Sequence, residues 1–427
     1  MSLYRTYIKP EWNDRIKNYK YSGINHSIVY NNFFSPLCDR LVNLFPEFVA
    51  PNVITLSGFI FVLLSFISIH SYAGNNGQGD VPAHISFLGG LAYLVYNILD
   101  NIDGKQARRT GNSSPLGMLF DHGCDSFVVA LTTMSLTSVC KMGDSGLNYL
   151  LIYSLASIPF YLAIWEQYQT GILELPQFNG VDEGALVFVF LYWITAFFGQ
   201  NFWLTEINIG SIKIPLNRLS LYLTISCSLV FCIISIKNVI KYHEAVNLKA
   251  NPSNRNNANA IPHENSLEIV KTDDIFLDYF QIIYSLLPFL FFNISLFICV
   301  LSASDDSIVS RSPKFIILIY SFMFSKLLLH IMMAHITKSE FEQWRISIIT
   351  CCIILPTISI LSNHYSEYQK NFDTVFVIYF FKNLALWINF ARKLAIELSN
   401  VLGIRVFFVK EKICDKGYSK ISTKEVK

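Results

Sequence analysis

The run Asp100-Asn101-Ile102-Asp103-Gly104-Lys105-Gln106-Ala107-Arg108 is followed, eight residues later, by Gly117-Met118-Leu119-Phe120-Asp121-His122-Gly123-Cys124-Asp125. Both runs sit in apolar stretches of membrane length, so four carboxylates stand where hydrocarbon is expected. A charged side chain at bilayer depth costs about 2.5–3.5 kcal/mol on insertion scales, so four unpartnered aspartates cost about 10 kcal/mol. That demands compensation, for which a divalent metal is the obvious candidate, unless the acids are solvated loop residues near the membrane surface. Asp100 and Asp103 are spaced i, i+3 and share a helix face with Gly104 and Ala107. Asp121 and Asp125 are spaced i, i+4 and share a face of the next helix. Two facing helices therefore present all four to one point.

Composition agrees with a polytopic all-α membrane protein. Of 427 residues, 52% are hydrophobic and 15% charged, and the mean hydropathy is +0.39. Those values exceed what a soluble globular chain carries. The net charge of +2 leaves no footprint for nucleic acid. The nine cysteines fall mostly in apolar stretches without metal-like pairing and read as small core residues. No cleavable signal peptide is expected, because residues 1–23 lack an apolar core.

Windows long enough to span appear near 52–72, 84–103, 116–140, 147–166, 184–200, 217–237, 276–301, 314–336, 345–362 and 374–398, which gives about ten transmembrane helices. Around them the chain divides into a cytosolic amino-terminal segment (1–51), a six-helix catalytic core (52–237), a cytosolic Asn-rich linker (238–275), four further helices (276–398) and a basic cytosolic tail (399–427). The positive-inside rule sets the orientation. Arg5, Lys9, Arg15, Lys17, Lys20 and Arg40 precede the first span, and Lys105, Arg108 and Arg109 lie in the second connection, whereas residues 73–83 hold no Lys or Arg. Both basic regions then face the cytosol, and the aspartates open to it. Residues 34–48 mix apolar and charged side chains as a short interfacial amphipathic helix does, or a helix packed on the protein itself. Lys326, His330, His335 and Lys382 fall at membrane depth and read as structural pairs.

The complete pattern D-x2-D-G-x2-A-R-x8-G-x3-D-x3-D resembles the signature of the CDP-alcohol phosphotransferase family. The words Asp103–Arg109 and Ser114–Gly117 resemble its eukaryotic choline/ethanolamine branch. The resemblance implies the CDP-alcohol phosphotransferase fold and an enzyme that moves phosphocholine or phosphoethanolamine from CDP-choline or CDP-ethanolamine to diacylglycerol, releasing CMP. It implies two Mg²⁺ or Mn²⁺ ions on Asp100, Asp103, Asp121 and Asp125; hard oxygen ligands suit those ions. Asn52, Gly104, Lys105, Ala107, Arg108, Gly117 and Glu166 are then nucleotide- or substrate-binding candidates, with Arg109 a phosphate partner or a solvated loop residue. Asn52 belongs to Ala50-Pro51-Asn52-x-Ile54-Thr55-Leu56-x-Gly58, which resembles the family's entry into its first span. The general base is His122 or Asp125. The branch carries a Glu one turn earlier, where this chain has Met118, a departure that weakens a Glu-assisted mechanism.

A second stretch, Trp165-Glu166-x-Tyr168-x-Thr170-Gly171 with Asn179-Gly180 and Glu183-Gly184, also resembles the branch. Trp165 and Tyr168 are candidates for a cation–π contact with a choline headgroup. The resemblance further implies a homodimer in the endoplasmic reticulum or Golgi membrane. Rival readings are a family member using another acceptor, a cation transporter and a catalytically silent membrane scaffold. The choice between choline and ethanolamine is not written in these residues.

Overall fold

The computed structural model describes residues 6–250, 279–342 and 344–409. Short helices α1 (Asn13–Asn18) and α2 (Ser35–Leu41) precede five long ones. These are α3 (Pro51–Ala73), α4 (Ala83–Thr110), α5 (Pro115–Val139), α6 (Gly146–Thr170) and α7 (Glu183–Phe198). Then come α8 (Leu216–Ala250), α9 (Tyr279–Leu301), the single turn α10 (Ile308–Arg311), α11 (Pro313–Thr337), α12 (Ile346–His364) and α13 (Gln369–Leu402).

Local chemistry sets the boundaries. Pro51, Pro115 and Pro313 open helices where a missing N–H costs nothing. Ser114 and Ser145 cap α5 and α6 by accepting from Gly117 and Asn148. Gly111, Gly171 and Gly403 end α4, α6 and α13 in the left-handed conformation.

Each window read from the sequence falls on one long helix, but ten spans is approximate. Among the described residues, eight helices are long and apolar enough to cross a membrane: α3, α4, α6, α8, α9, α11, α12 and α13. The apolar helix α7 has only 16 residues. The 25-residue α5 is polar at both ends, with Asp121, His122 and Asp125 near one and Thr132, Thr133, Ser135, Thr137 and Ser138 near the other. Those five hydroxyl side chains are buried in the bundle rather than facing lipid. Thr133 and Thr137 return their protons to the carbonyls of Val129 and Thr133 at 2.6 and 2.7 Å. The protein is a multi-pass membrane protein organised around this buried helix.

Two boundaries differ from expectation. Helix α8 continues to Ala250, past the expected linker start at 238; the rest of that linker and most of the basic tail lie outside the described residues. The expected division after 237 does not divide the core either. One apolar cluster joins Val62, Leu131 and Tyr161 of the earlier helices to Phe292, Phe324 and Leu394 of the later ones, because α11 packs along both α5 and α6. Residues 34–48 include α2 and a 3-10 turn at Val42–Leu44, with Leu44 at the end of that turn and Phe48 beyond it both exposed.

Two small sheets were not legible. β1 (Gly23–Asn25) pairs in parallel with β2 (Leu173–Leu175), and β3 (Glu206–Ile209) pairs antiparallel with β4 (Ile212–Pro215).

Candidate active site

Helices α4 and α5 are joined by the short turn at Gly111 and run back past one another, with α3 packed along both. Asp100 and Asp103 lie about 10–15 Å from the end of α4, and Asp121 and Asp125 are equally deep in α5, at 1.5 Å per residue. The carboxylates meet. Asp100, Asp103 and Asp121 each bring an oxygen within 4.8 Å of the others, and Asp121, Asp125 and a ring nitrogen of His122 form a second group at the same spacing. Asp121 belongs to both groups.

Their hydrogen bonding is incomplete in a telling way. Thr55 of α3 donates its hydroxyl to Asp103, and Tyr96 of α4 donates to Asp125. His122 Nδ1 lies 3.2 Å from Asp121 Oδ2 and 3.7 Å from Asp125 Oδ2. Yet Asp100 Oδ1 and Asp121 Oδ1 are buried with no protein partner. A buried carboxylate oxygen without a donor costs about 1–3 kcal/mol or more, and here two point into one cluster. The four carboxylates fit a hard divalent cation, so these aspartates suit the metal that the resemblance implies.

The glycines and Asn52 build the entrance. A Cβ on Gly117 would meet only Ser114 Oγ at 3.6 Å and Asn52 Oδ1 at 3.7 Å, which places Asn52 across from Gly117 one turn above the aspartates. A Cβ on Gly104 would meet only Arg108 Nη1, at 3.6 Å. Arg108 is exposed and Ala107 half-buried beside it. Lys105 is turned aside: its Nζ donates to Asp39 at 2.7 Å and to Ser35 at 3.0 Å. Arg109 holds the carbonyls of Val42 and Phe45, each at 2.8 Å, so it is a clamp on the turn after α2 rather than a phosphate ligand.

The Trp165 stretch has a structural explanation. Trp165 is fully buried in the core, and its indole N–H donates to Ser285 at 2.7 Å. Tyr168 accepts from the Phe341 N–H at 3.1 Å. Neither arrangement supports the headgroup contact expected of these rings. Glu166 accepts from Asn238 of α8 at 2.9 Å and is not among the clustered carboxylates. Glu183 accepts from Ser27, Val29 and Asn179, and Asp182 from Asn25, so Asp182 and Glu183 latch the amino-terminal segment beside the β1–β2 pair.

Sequence reasoning missed Tyr96 and the role of Thr55. Tyr96 carried no signal of its own, although it lies four residues before Asp100 on the same helix face. His335, read as structural, lies 3.1 Å from the Tyr19 hydroxyl, which is also 3.4 Å from Met118 Sδ. Lys326 donates to Ser347 at 2.8 Å, and Lys382 lies 4.5 Å over the Tyr379 ring.

The carboxylates thus form groups that could hold a divalent metal ion. The family model described as CDP-alcohol phosphatidyltransferase matches residues 48–167, so the chain carries a CDP-alcohol phosphotransferase domain. It is 39% identical to choline/ethanolaminephosphotransferase 2 of Arabidopsis thaliana over 44% of this chain and 47% of that protein. It is 36% identical to ethanolaminephosphotransferase 1 of Homo sapiens over 46% and 51% of the two chains. It is 27% identical to uncharacterized CDP-alcohol phosphatidyltransferase class-I family protein 1 of Dictyostelium discoideum over 95% and 96%. The chain thus spans about half the length of the two named phosphotransferases it matches.

Proposed function

We propose that the protein transfers phosphocholine or phosphoethanolamine from CDP-choline or CDP-ethanolamine to the free hydroxyl of diacylglycerol. The products are the phospholipid and CMP. The observation that carries this reading is the convergence of two aspartate pairs at membrane depth with two buried oxygens left without donors. Similarity to relatives named as choline/ethanolamine- and ethanolaminephosphotransferases supplies the substrate class.

The reaction is displacement at phosphorus, in which positioning and neutralisation of charge dominate. Mg²⁺ or Mn²⁺, in two sites held by Asp100, Asp103, Asp121 and Asp125, would neutralise the diphosphate and the oxygens that gain charge. The chain's own residues do the rest. Helices α3 and α5 both begin at the entrance, and their N-terminal dipoles favour an anion there. Gly104 and Gly117 leave room for the nucleotide, and Arg108 stands beside Gly104 to pair phosphate charge.

His122 is the proposed base. With Nδ1 held between Asp121 and Asp125, Nε2 is left as the acceptor that takes the proton of the diacylglycerol hydroxyl as its oxygen bonds to phosphorus and CMP departs. Asp125 is the alternative base, but it already accepts from Tyr96. The catalytic centre is proposed to face the cytosol of an endoplasmic reticulum or Golgi membrane. A homodimer is proposed through the exposed apolar faces of the later helices, where Ile353, Ile360, Ile378 and Phe381 are exposed.

Purified membranes incubated with labelled CDP-choline or CDP-ethanolamine, diacylglycerol and Mg²⁺ or Mn²⁺ test the proposal. Label passes into lipid with both metals and not in chelator; its absence from lipid under all conditions overturns the reading. His122→Ala loses turnover by about 10²–10⁴-fold, the usual weight of a general base, while CDP-alcohol binding persists. Unchanged turnover dismisses His122.

A further inference from the structure

We propose that the segment Ile404–Val409, beyond the end of α13 and outside the matched family domain, is a positioning element of the nucleotide site. The inference rests on the CDP-alcohol reading above. Asn52 Nδ2 donates to the carbonyl of Val406 at 2.7 Å. A backbone carbonyl only accepts, so the amide nitrogen must be the atom that faces it. That contact turns Asn52 Oδ1 the other way, to 3.7 Å from where a Cβ on Gly117 would stand. The segment thereby decides which end of the Asn52 amide the entrance presents.

The level of this contact gives it meaning. Asn52 lies one turn before Thr55, which donates to Asp103, and Gly117 lies one turn before Asp121. Both are therefore about 5 Å nearer the helix ends than the clustered carboxylates, at 1.5 Å per residue. A diphosphate held at the carboxylates extends its nucleoside past that level. There the Asn52 oxygen is an acceptor for a hydroxyl or amino group of the nucleoside. An unheld asparagine amide turns freely and offers donor or acceptor alike, so the Val406 carbonyl pre-organises the recognition.

Three features hold the segment in place. Gly403, at φ +65°, reverses the chain after α13, and the Ile404 N–H donates to the Ser399 carbonyl at 3.1 Å. Val406 packs against the main apolar core. The Phe407 ring meets Phe120 edge-on with centroids 5.6 Å apart, and Phe120 immediately precedes Asp121. A segment that merely blocked the entrance would share these contacts, but its release would tighten nucleotide binding.

The test uses the full chain. The double variant Val406→Asp/Phe407→Ala releases the segment without altering Asn52 or the aspartates. Binding of CDP-choline and CDP-ethanolamine to purified protein is measured with Mg²⁺, and KM and kcat are measured for both substrates. The expected result is an approximately tenfold weaker nucleotide Kd and a matching rise in KM for the CDP-alcohol. The kcat and the KM for diacylglycerol stay within about twofold, and Phe407→Tyr retains wild-type values. An unchanged or tighter nucleotide Kd overturns the proposal. Should the double variant fail to fold, Phe407→Ala alone, at a ring 43% exposed, is read by the same criteria. Wild-type protein that binds no CDP-alcohol would instead remove the functional reading on which the inference stands.

Discussion

Asp121 is the residue on which both carboxylate groups depend, and it opposes stability as it serves function. Its Oδ1, like Asp100 Oδ1, is buried without a hydrogen-bond partner. Asp121→Asn supplies an amide hydrogen to that cluster and removes one negative charge. In chelator the variant is expected to melt higher than wild type, by the equivalent of about 1 kcal/mol or more, since an unsatisfied buried acceptor costs about 1–3 kcal/mol. The same change is expected to abolish the proposed transfer and the stabilisation by Mg²⁺ expected of wild type. Thermal melting with Mg²⁺ and with EDTA checks both signs, and a lower melting point in EDTA contradicts the account. Tyr96 acts more gently, by holding Asp125 through its hydroxyl. A hydrogen bond to a charged group contributes about 1.5–3 kcal/mol, so Tyr96→Phe lowers kcat by roughly 10–100-fold while nucleotide KM moves little. Steady-state kinetics separate the two.

At the scale of elements, the helices that carry the clustered carboxylates were legible because their aspartates repeat at helical spacing. Asp100/Asp103 and Asp121/Asp125 could share faces only on helices, and the apolar runs around them marked the spans. Legibility failed where the partner lies far along the chain. Trp165 reads as a ligand-facing aromatic until Ser285, 120 residues away, is seen to accept its N–H. The pairing of Lys105 with Asp39, 66 residues away, carried no signal in the sequence either. The three-residue strands β1 and β2 are too short to show any alternation. The close approach of α4 to α7 was equally hidden: a Cβ on Gly90 would lie 2.8 Å from Trp193 Nε1 and 2.9 Å from Tyr192 Cβ. Small residues at such crossings let membrane helices approach. Gly90→Val forces α7 outward, and the expected cost is about 1–3 kcal/mol, as for other overpacked interfaces. A melting point equal to wild type in the purified protein would show that the crossing absorbs the added volume.

Across the whole molecule, both described ends of the chain return to the entrance. The amino-terminal segment binds Glu397 of α13 through the N–H groups of Tyr7 and Ile8, each at 2.8 Å. The segment after α13 reaches Asn52. Arg15 of α1 caps the end of α11 by donating to the carbonyls of Thr337 and Lys338. The starts of α3 and α5 and the end of α4 share this side, with Lys105, Arg108 and Arg109 around them, and positively charged connections are retained in the cytosol. The proposed CDP-alcohol substrate carries a charged diphosphate and does not cross a bilayer, so on the proposed orientation it would reach aspartates about 10–15 Å below the helix ends only from that side. Sealed microsomes with their cytosolic face outward are therefore expected to use added CDP-ethanolamine at nearly the rate seen after detergent permeabilisation. Activity that stays latent until the vesicles are opened would place the entrance on the lumenal side. That result would reverse the orientation read from the basic residues while leaving the carboxylate geometry intact.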